Sequence, residues 1–237
     1  MSMQPFFLEF IYFDGIHRFL PALFNGYKYK TMFIPVDSEH FSLWFGMRNL
    51  NIKNIEKFYL TASGGSILNK GINELNKISN NDVLKHPNWK MGKKITVDSA
   101  TMINKIYEVI EAKNIFDIKL NQIEILIHPK SYVHAILKFE NGLIKIIAHD
   151  TTMKIPIFNT LYNEPIKKIK NKEININFLN NLNLKKIDVK KFPMVKLLKL
   201  INNKHSLYET VIVSANDTLV ELFLKKKIKF LDIQKKL

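Results

Sequence analysis

Cysteine is absent from all 237 residues. That excludes a disulfide framework, a thiolate-bound zinc or iron–sulfur centre and a cysteine nucleophile. It fits a reducing compartment, so a cytoplasmic location is the expectation, although exported chains can also lack cysteine. No run reaches the ~18 apolar residues that a bilayer-spanning helix needs, and no membrane partner is expected. Glycine is scarce at 8 residues, and only Gly15 and Gly26 precede Asp37. Isolated glycines do not make the Gly-x-Gly-x-x-Gly turn that cradles a dinucleotide pyrophosphate. The apolar opening from Phe6 to Phe13 is short, is interrupted by Glu9 and has no basic lead-in. It therefore reads as a buried strand or an amphipathic fragment rather than a signal peptide.

What the chain does contain supports one good-sized domain and a smaller one, with an ordinary 46% hydrophobic fraction. The net charge of +15 comes from 36 basic against 21 acidic residues. Most of the excess is lysine, spread along the chain beside frequent Asn and Ile, as a bias towards AT-rich codons would produce. Lys167, Lys168, Lys170 and Lys172 sit in a polar stretch, and Lys225 to Lys227 close a helix; both read as solvated faces. No basic face is interleaved with aromatic platforms, so no nucleic-acid partner is expected.

The alternation of patterns predicts an α/β (α+β) fold, a mixed sheet with flanking helices. Lys57 to Ala62 reads as a strand that runs into the turn Ser63-Gly64-Gly65. Apolar positions from Met102 to Ile115 share a helical face, predicting a helix over 100–116. Residues 123–127 and 135–139 are strands, and Asn141-Gly142 predicts a hairpin that pairs 135–139 with 143–148. We divide the chain into residues 1–33, which are unassigned, a mixed strand-and-helix domain at 34–161, a connecting arm at 162–191 and a C-terminal helical domain at 192–237. Helical periodicity returns after Pro193, at Val195 to Leu200 and again at Val213 to Leu224.

Three clusters could carry chemistry. In the first, Asp37 and Glu39 flank Ser38 after a strand-like lead. If the strand continued, both carboxylates would point to one side and want a hard cation such as Mg²⁺ or Mn²⁺. The alternative is a helix N-terminus, where the dipole favours acidic residues. The second, His86 to Lys94, is either a lid with Trp89 as its apolar cover or an ordinary surface loop. In the third, Ser99 falls at an expected helix start, with Asn104, Glu108 and Glu111 on one face and Lys105 three residues before Glu108. Ser99, Asn104 and Lys105 could hold a phosphate while Glu108 contacts a cation, or the whole could be an exposed face with one ion pair.

These clusters occur in a fixed order, together with Thr61-Ala62-Ser63-Gly64-Gly65, Ile127-His128-Pro129, the stretch from Asp150 to Met153, and Ser214-Ala215-Asn216-Asp217. In that order they closely resemble the catalytic part of 1-deoxy-D-xylulose 5-phosphate reductoisomerase, over roughly residues 34 to 233.

The resemblance implies an NADP-dependent oxidoreductase of isoprenoid precursor biosynthesis. Such an enzyme rearranges 1-deoxy-D-xylulose 5-phosphate and reduces the product with NADPH to 2-C-methyl-D-erythritol 4-phosphate. It implies Asp37, Glu39 and Glu108 as metal ligands and catalytic residues, with Mg²⁺ or Mn²⁺ as the ion. Ser38 and Glu111 would hold substrate oxygens, and Ser63, Ser99, Asn104 and Lys105 would grip the phosphate. His86 and Trp89 would belong to a closing loop, with His128 and Met153 lining the site. The partners implied are a phosphorylated sugar and a second copy of the chain. Residues 1–33 lie outside the pattern, Ser66-Ile67-Leu68-Asn69 replace the family's usual run after the double glycine, and Ser214 to Asp217 stand for a helix start. The expectation is a truncated chain lacking its nucleotide domain, with a remnant that binds only metal or phosphate as the alternative.

Overall fold

The computed structural model describes residues 34–162, 168–170, 173–202 and 206–237. The opening Phe6 to Phe13 segment, along with Lys167 and Lys172, lies outside them. The core is a five-stranded sheet in the order β4-β3-β1-β2-β5. Its strands are β1 (Ile55–Ala62), β2 (Ile123–Ile127), β3 (Val133–Phe139), β4 (Ile144–Ala148) and β5 (Lys185–Lys186). β1 and β2 run parallel, and every other neighbouring pair is antiparallel. The parallel pair needs a long crossover, which holds a one-turn helix at Asn80–Val83 and two longer helices, α2 (Lys93–Thr101) and α3 (Ile103–Phe116). The expected Asn141-Gly142 hairpin joins β3 to β4, with Gly142 at φ 86 and Leu137 opposite Lys145.

The helices cover the sheet because their apolar stripes match its faces. Leu43 and Met47 of α1 (Ser38–Met47) pack with Val109 and Ala112 of α3 against Phe58, Leu60, Ala135 and Leu137. After α4 (Lys154–Leu161), α5 (Tyr208–Leu224) and α6 (Phe230–Lys236) contribute Val220, Phe223, Phe230 and Ile233 to a second cluster with Val97, Ala100 and Ile127. A third cluster joins Ile103, Ile106 and Ile110 of α3 to Ile212 and Val213 of α5.

Three expectations about local structure need correction. The single helix expected over 100–116 is two helices, broken at Met102, which is buried in the left-handed conformation at φ 68. Ser99 therefore lies near the C-terminal end of α2, and the anion-binding N-terminus expected there is absent at that position. Ser214 to Asp217 do not start a helix; α5 begins at Tyr208, and these residues lie inside it. The segment 193–200 is 3₁₀-helical rather than α-helical, its entry set by Pro193. Part of the expected arm carries structure of its own: a short helix at Ile176–Asn180 and β5, which adds a strand beside β2. Lys168, Lys170 and Lys225 to Lys227 are exposed, as solvated faces should be.

Candidate active site

Asp37 does not continue a strand. It is the N-cap of α1, and its carboxylate accepts the backbone N–H groups of Glu39 and His40 at 3.1 and 3.2 Å. Capping satisfies donors that the first helical turn leaves free. The helix-start reading of this motif is therefore correct, and a carboxylate cluster forms nonetheless. Side-chain oxygens of Asp37, Glu39 and Glu108 all lie within 4.8 Å of one another. Glu108 reaches the cluster from α3, the helix redirected by Met102.

Three acids this close, with Glu108 buried, repel one another unless cations intervene. Lys105 Nζ lies 2.7 Å from Glu39 Oε1 and also donates to Glu108. His40 Nδ1 sits 3.1 Å from Asp37, and its Nε2 donates to the Glu108 carbonyl at 2.9 Å with Glu111 3.8 Å away. Acceptors on both ring nitrogens favour the doubly protonated imidazole. Burial opposes that charge, but Asp37 beside it lifts the His40 pKa to about 10. Burial and the Glu39 charge hold Glu108 well above the usual carboxylate range, against the opposing pull of Lys105. Burial raises Glu111 to about 7. The donor set is all oxygen, compact and acidic, which fits a hard divalent cation of the Mg²⁺ or Mn²⁺ type.

A cleft of about 650 Å³ opens beside this cluster. Ser38, Ser63, His86, Trp89, Ser99, Asn104, Lys105, Glu111 and Met153 all line it with the three acids. Their arrangement differs from the expected phosphate grip at two positions. Asn104 donates to Glu108 at 2.6 Å, and the Lys105 ammonium lies among the carboxylates, because buried anions draw the nearest donors. Ser38 also turns its hydroxyl to Glu39. Ser63 is set up differently. His86 Nδ1 accepts the backbone N–H groups of Asn88 and Trp89 at 3.2 and 2.9 Å, so its Nε2 carries the proton and donates to Ser63 Oγ at 3.0 Å. Gly65 N–H also donates to that oxygen, leaving the Ser63 proton for an incoming acceptor.

Gly65 itself makes the approach possible. At φ 63, a Cβ there would lie 2.8 Å from the Ala100 Cα and 2.9 Å from the Ser99 carbonyl. The turn after β1 thus packs backbone to backbone on α2, which brings Ser63 and Ser99 to one cleft.

His128 is the expected lining residue that the cleft leaves out. It is fully buried at the end of β2, its Nδ1 donating to the Leu182 carbonyl of the arm. His134, six residues on, lines the cleft instead. Its signal was a histidine inside an otherwise apolar strand, which sequence reasoning passed over, as it did the role of His40. Asn216 explains the Ser-Ala-Asn-Asp motif differently from a helix start: it donates to buried Asp98 at 2.8 Å, while Lys94 bridges Asp98 and Asp217 at 2.8 and 3.1 Å. That network fastens α2 to α5.

Residues 33–116 match the model of the 1-deoxy-D-xylulose 5-phosphate reductoisomerase C-terminal domain, and residues 150–237 match that of the DXP reductoisomerase C-terminal domain. The reductoisomerase of Pelagibacter ubique (strain HTCC1062) is 61% identical over 206 residues, covering 87% of this chain and 53% of the relative. That of Aquifex aeolicus (strain VF5) is 39% identical, covering 87% and 54%. Among solved structures, a DOX-P reductoisomerase in complex with NADPH, fosmidomycin and magnesium superposes with a TM-score of 0.80 at 33% identity, over 90% of this chain and 54% of the other. The Zymomonas mobilis enzyme in complex with NADPH gives 0.81 at 30% identity, over 91% and 55%. The chain spans about half the length of the curated relatives it matches. With the acids of α1 and α3 and the network of α5 falling within the two matched regions, the chain belongs to the 1-deoxy-D-xylulose 5-phosphate reductoisomerase family.

Proposed function

We propose that this chain is the metal- and substrate-binding part of a 1-deoxy-D-xylulose 5-phosphate reductoisomerase, acting in the cytoplasm in isoprenoid precursor synthesis. The observation that carries this reading is the convergence of Asp37, Glu39 and Glu108 oxygens within 4.8 Å beside the cleft. A divalent ion held there supplies charge stabilisation for an oxygen that becomes negative as a carbon–carbon bond breaks. The protein's own groups do the rest. Ser63 offers its free proton to the phosphate, with Ser99 beside it in the cleft. With a cation on the carboxylates, Lys105 and Asn104, one turn before Glu108, would be released from them to bind the phosphate. Glu111 and Ser38 hold substrate oxygens, and Trp89 with Met153 covers the apolar side. Phosphate binding far from the reacting carbons orients them and restricts their motion.

The described residues offer no glycine-rich strand-to-helix turn for a pyrophosphate. Reduction of the rearranged aldehyde therefore calls for NADPH held by a dinucleotide-binding domain, with this chain presenting the aldehyde. A second copy of the chain is the proposed protein partner. Edge strand β4 exposes Ile144 and Ile146 at 62% and 48%, and Leu143 just before it is 65% exposed, an apolar rim of the kind that a homodimer covers.

Titration calorimetry tests the reading. The chain should bind Mg²⁺ or Mn²⁺ one to one, bind more tightly with fosmidomycin present, and lose both in Glu108→Gln. A folded chain that binds neither ion nor fosmidomycin would overturn it.

A further inference from the structure

His134 is held on two sides. Its ring lies flat on that of His149, centroids 3.8 Å apart and planes at 15°, and it meets Trp89 of the cleft loop edge-on at 6.3 Å. His149 in turn meets Phe41 of α1 edge-on at 6.4 Å. One row of four rings thus runs from the helix that carries Asp37 and Glu39 to the loop over the cleft.

Both imidazoles have tautomers set by main-chain carbonyls, which only accept hydrogen bonds. His149 Nδ1 faces the Asp150 carbonyl at 2.8 Å and so carries the proton, leaving its buried Nε2 without a partner among the described residues. His134 Nε2 faces the His149 carbonyl at 3.3 Å and carries its proton there. The other His134 nitrogen, Nδ1, is then bare, and no described residue bonds it on a ring that lines the cleft.

We propose that His149 is a positioning residue for the substrate site. Its ring and its carbonyl fix His134 in the plane and tautomer that leave an unprotonated Nδ1 to accept a hydroxyl of the phosphorylated sugar. This rests on the cleft being a sugar-phosphate site. Burial holds both rings below the ordinary histidine range, and His134 well below it, so neither becomes a cation that would break the stack near neutral pH. With Nε2 of His149 unpartnered among the described residues and its Nδ1 bonded only to the adjacent Asp150 carbonyl, the ring meets His134 through its flat face alone. A phenyl ring should serve as well, since the carbonyl belongs to the backbone.

Nitrogen-15 NMR of the histidine-labelled chain, with fosmidomycin and Mg²⁺ as the probe, tests this directly. Wild type should show His134 as the Nε2–H tautomer, with its Nδ1 resonance moving when fosmidomycin binds. His149→Ala should average that tautomer and weaken fosmidomycin about tenfold, whereas His149→Phe should stay within about twofold of wild type. A wild-type tautomer and affinity in His149→Ala would overturn the proposal. So would a folded His149→Phe that fails as badly as alanine, since the imidazole itself would then be needed. If wild type binds no fosmidomycin, the sugar-phosphate reading falls, and the tautomer comparison alone still decides the role of His149.

Discussion

Lys105 and Glu108, one turn apart on α3, form an ion pair in which each side chain is about 6% exposed. The same ammonium lies 2.7 Å from Glu39, so one lysine neutralises two members of an acidic triad. Removing one partner of such a buried group leaves uncompensated charge. Lys105→Met should lower unfolding stability by about 3 kcal/mol in chelator. Mg²⁺ should restore much of that loss, because the ion and the ammonium serve the same oxygens. Thermal melts with and without Mg²⁺ check both halves.

For the unsubstituted chain, Mg²⁺ at a hundred times its dissociation constant should add about 2.7 kcal/mol of stability. Glu108→Gln should abolish that gain while the Mg²⁺-free melt holds or rises, since one buried anion has gone. A gain that persists in the variant would place the ion elsewhere.

Stability without metal should depend on pH in a direction that the site dictates. Glu111 is raised from 4.5 to about 7. A carboxyl raised by folding contributes fully below its unfolded pKa and loses that contribution as pH climbs through the folded value. The loss should be on the order of 3 kcal/mol between about pH 4.5 and 7. His40, raised from 6.5 to about 10, adds a second loss from neutral pH upward. Denaturant midpoints in chelator at pH 5 and 8 should fall with pH, and Glu111→Gln should flatten the lower half of that fall.

Gly65→Ala should destabilise the fold by about 1–3 kcal/mol, the usual cost of a strained backbone conformation, on top of a contact that backbone atoms cannot relieve. The added Cβ meets the Ala100 Cα at 2.8 Å with φ at 63. Gly142→Ala, also at positive φ but with nothing within 4 Å, should cost less. Paired denaturation curves separate strain from collision.

If β4 is the face a second copy covers, Ile144→Lys combined with Ile146→Lys should shift sedimentation from dimer to monomer and leave the single-chain circular dichroism intact. Those side chains are already 62% and 48% exposed, so the substitution disturbs little within one chain.

Much of the sheet was legible because its signals are local. Asn141-Gly142 after an apolar strand specifies a tight hairpin turn, here closed by the bond from the Gly142 N–H to the Phe139 carbonyl, and β1 ended at its glycines as expected. The triad was legible through family motifs, and its geometry follows a different route from the one that spacing suggested. Asp37 caps a helix, and Glu108 arrives from a distant one. The break at Met102 was hidden because methionine is a good helix former and nothing in its chemistry marks a left-handed turn. What forces the turn is tertiary, with α2 and α3 each burying a different face. His134 was passed over for His128 because a motif directed attention to the loop, whereas the cleft is reached from the following strand. The start of α5 at Tyr208 was missed because its first turn exposes Tyr208 and Val211, blurring the apolar stripe there.

The bare backbone contact at Gly65 has a mechanical consequence. With no side chain between them to slide or change rotamer, the turn after β1 and the last turn of α2 cannot shift independently. A ligand that draws in the Ser63 hydroxyl therefore carries Ser99 with it, and through the Asp98–Asn216 bond the tug passes on to α5.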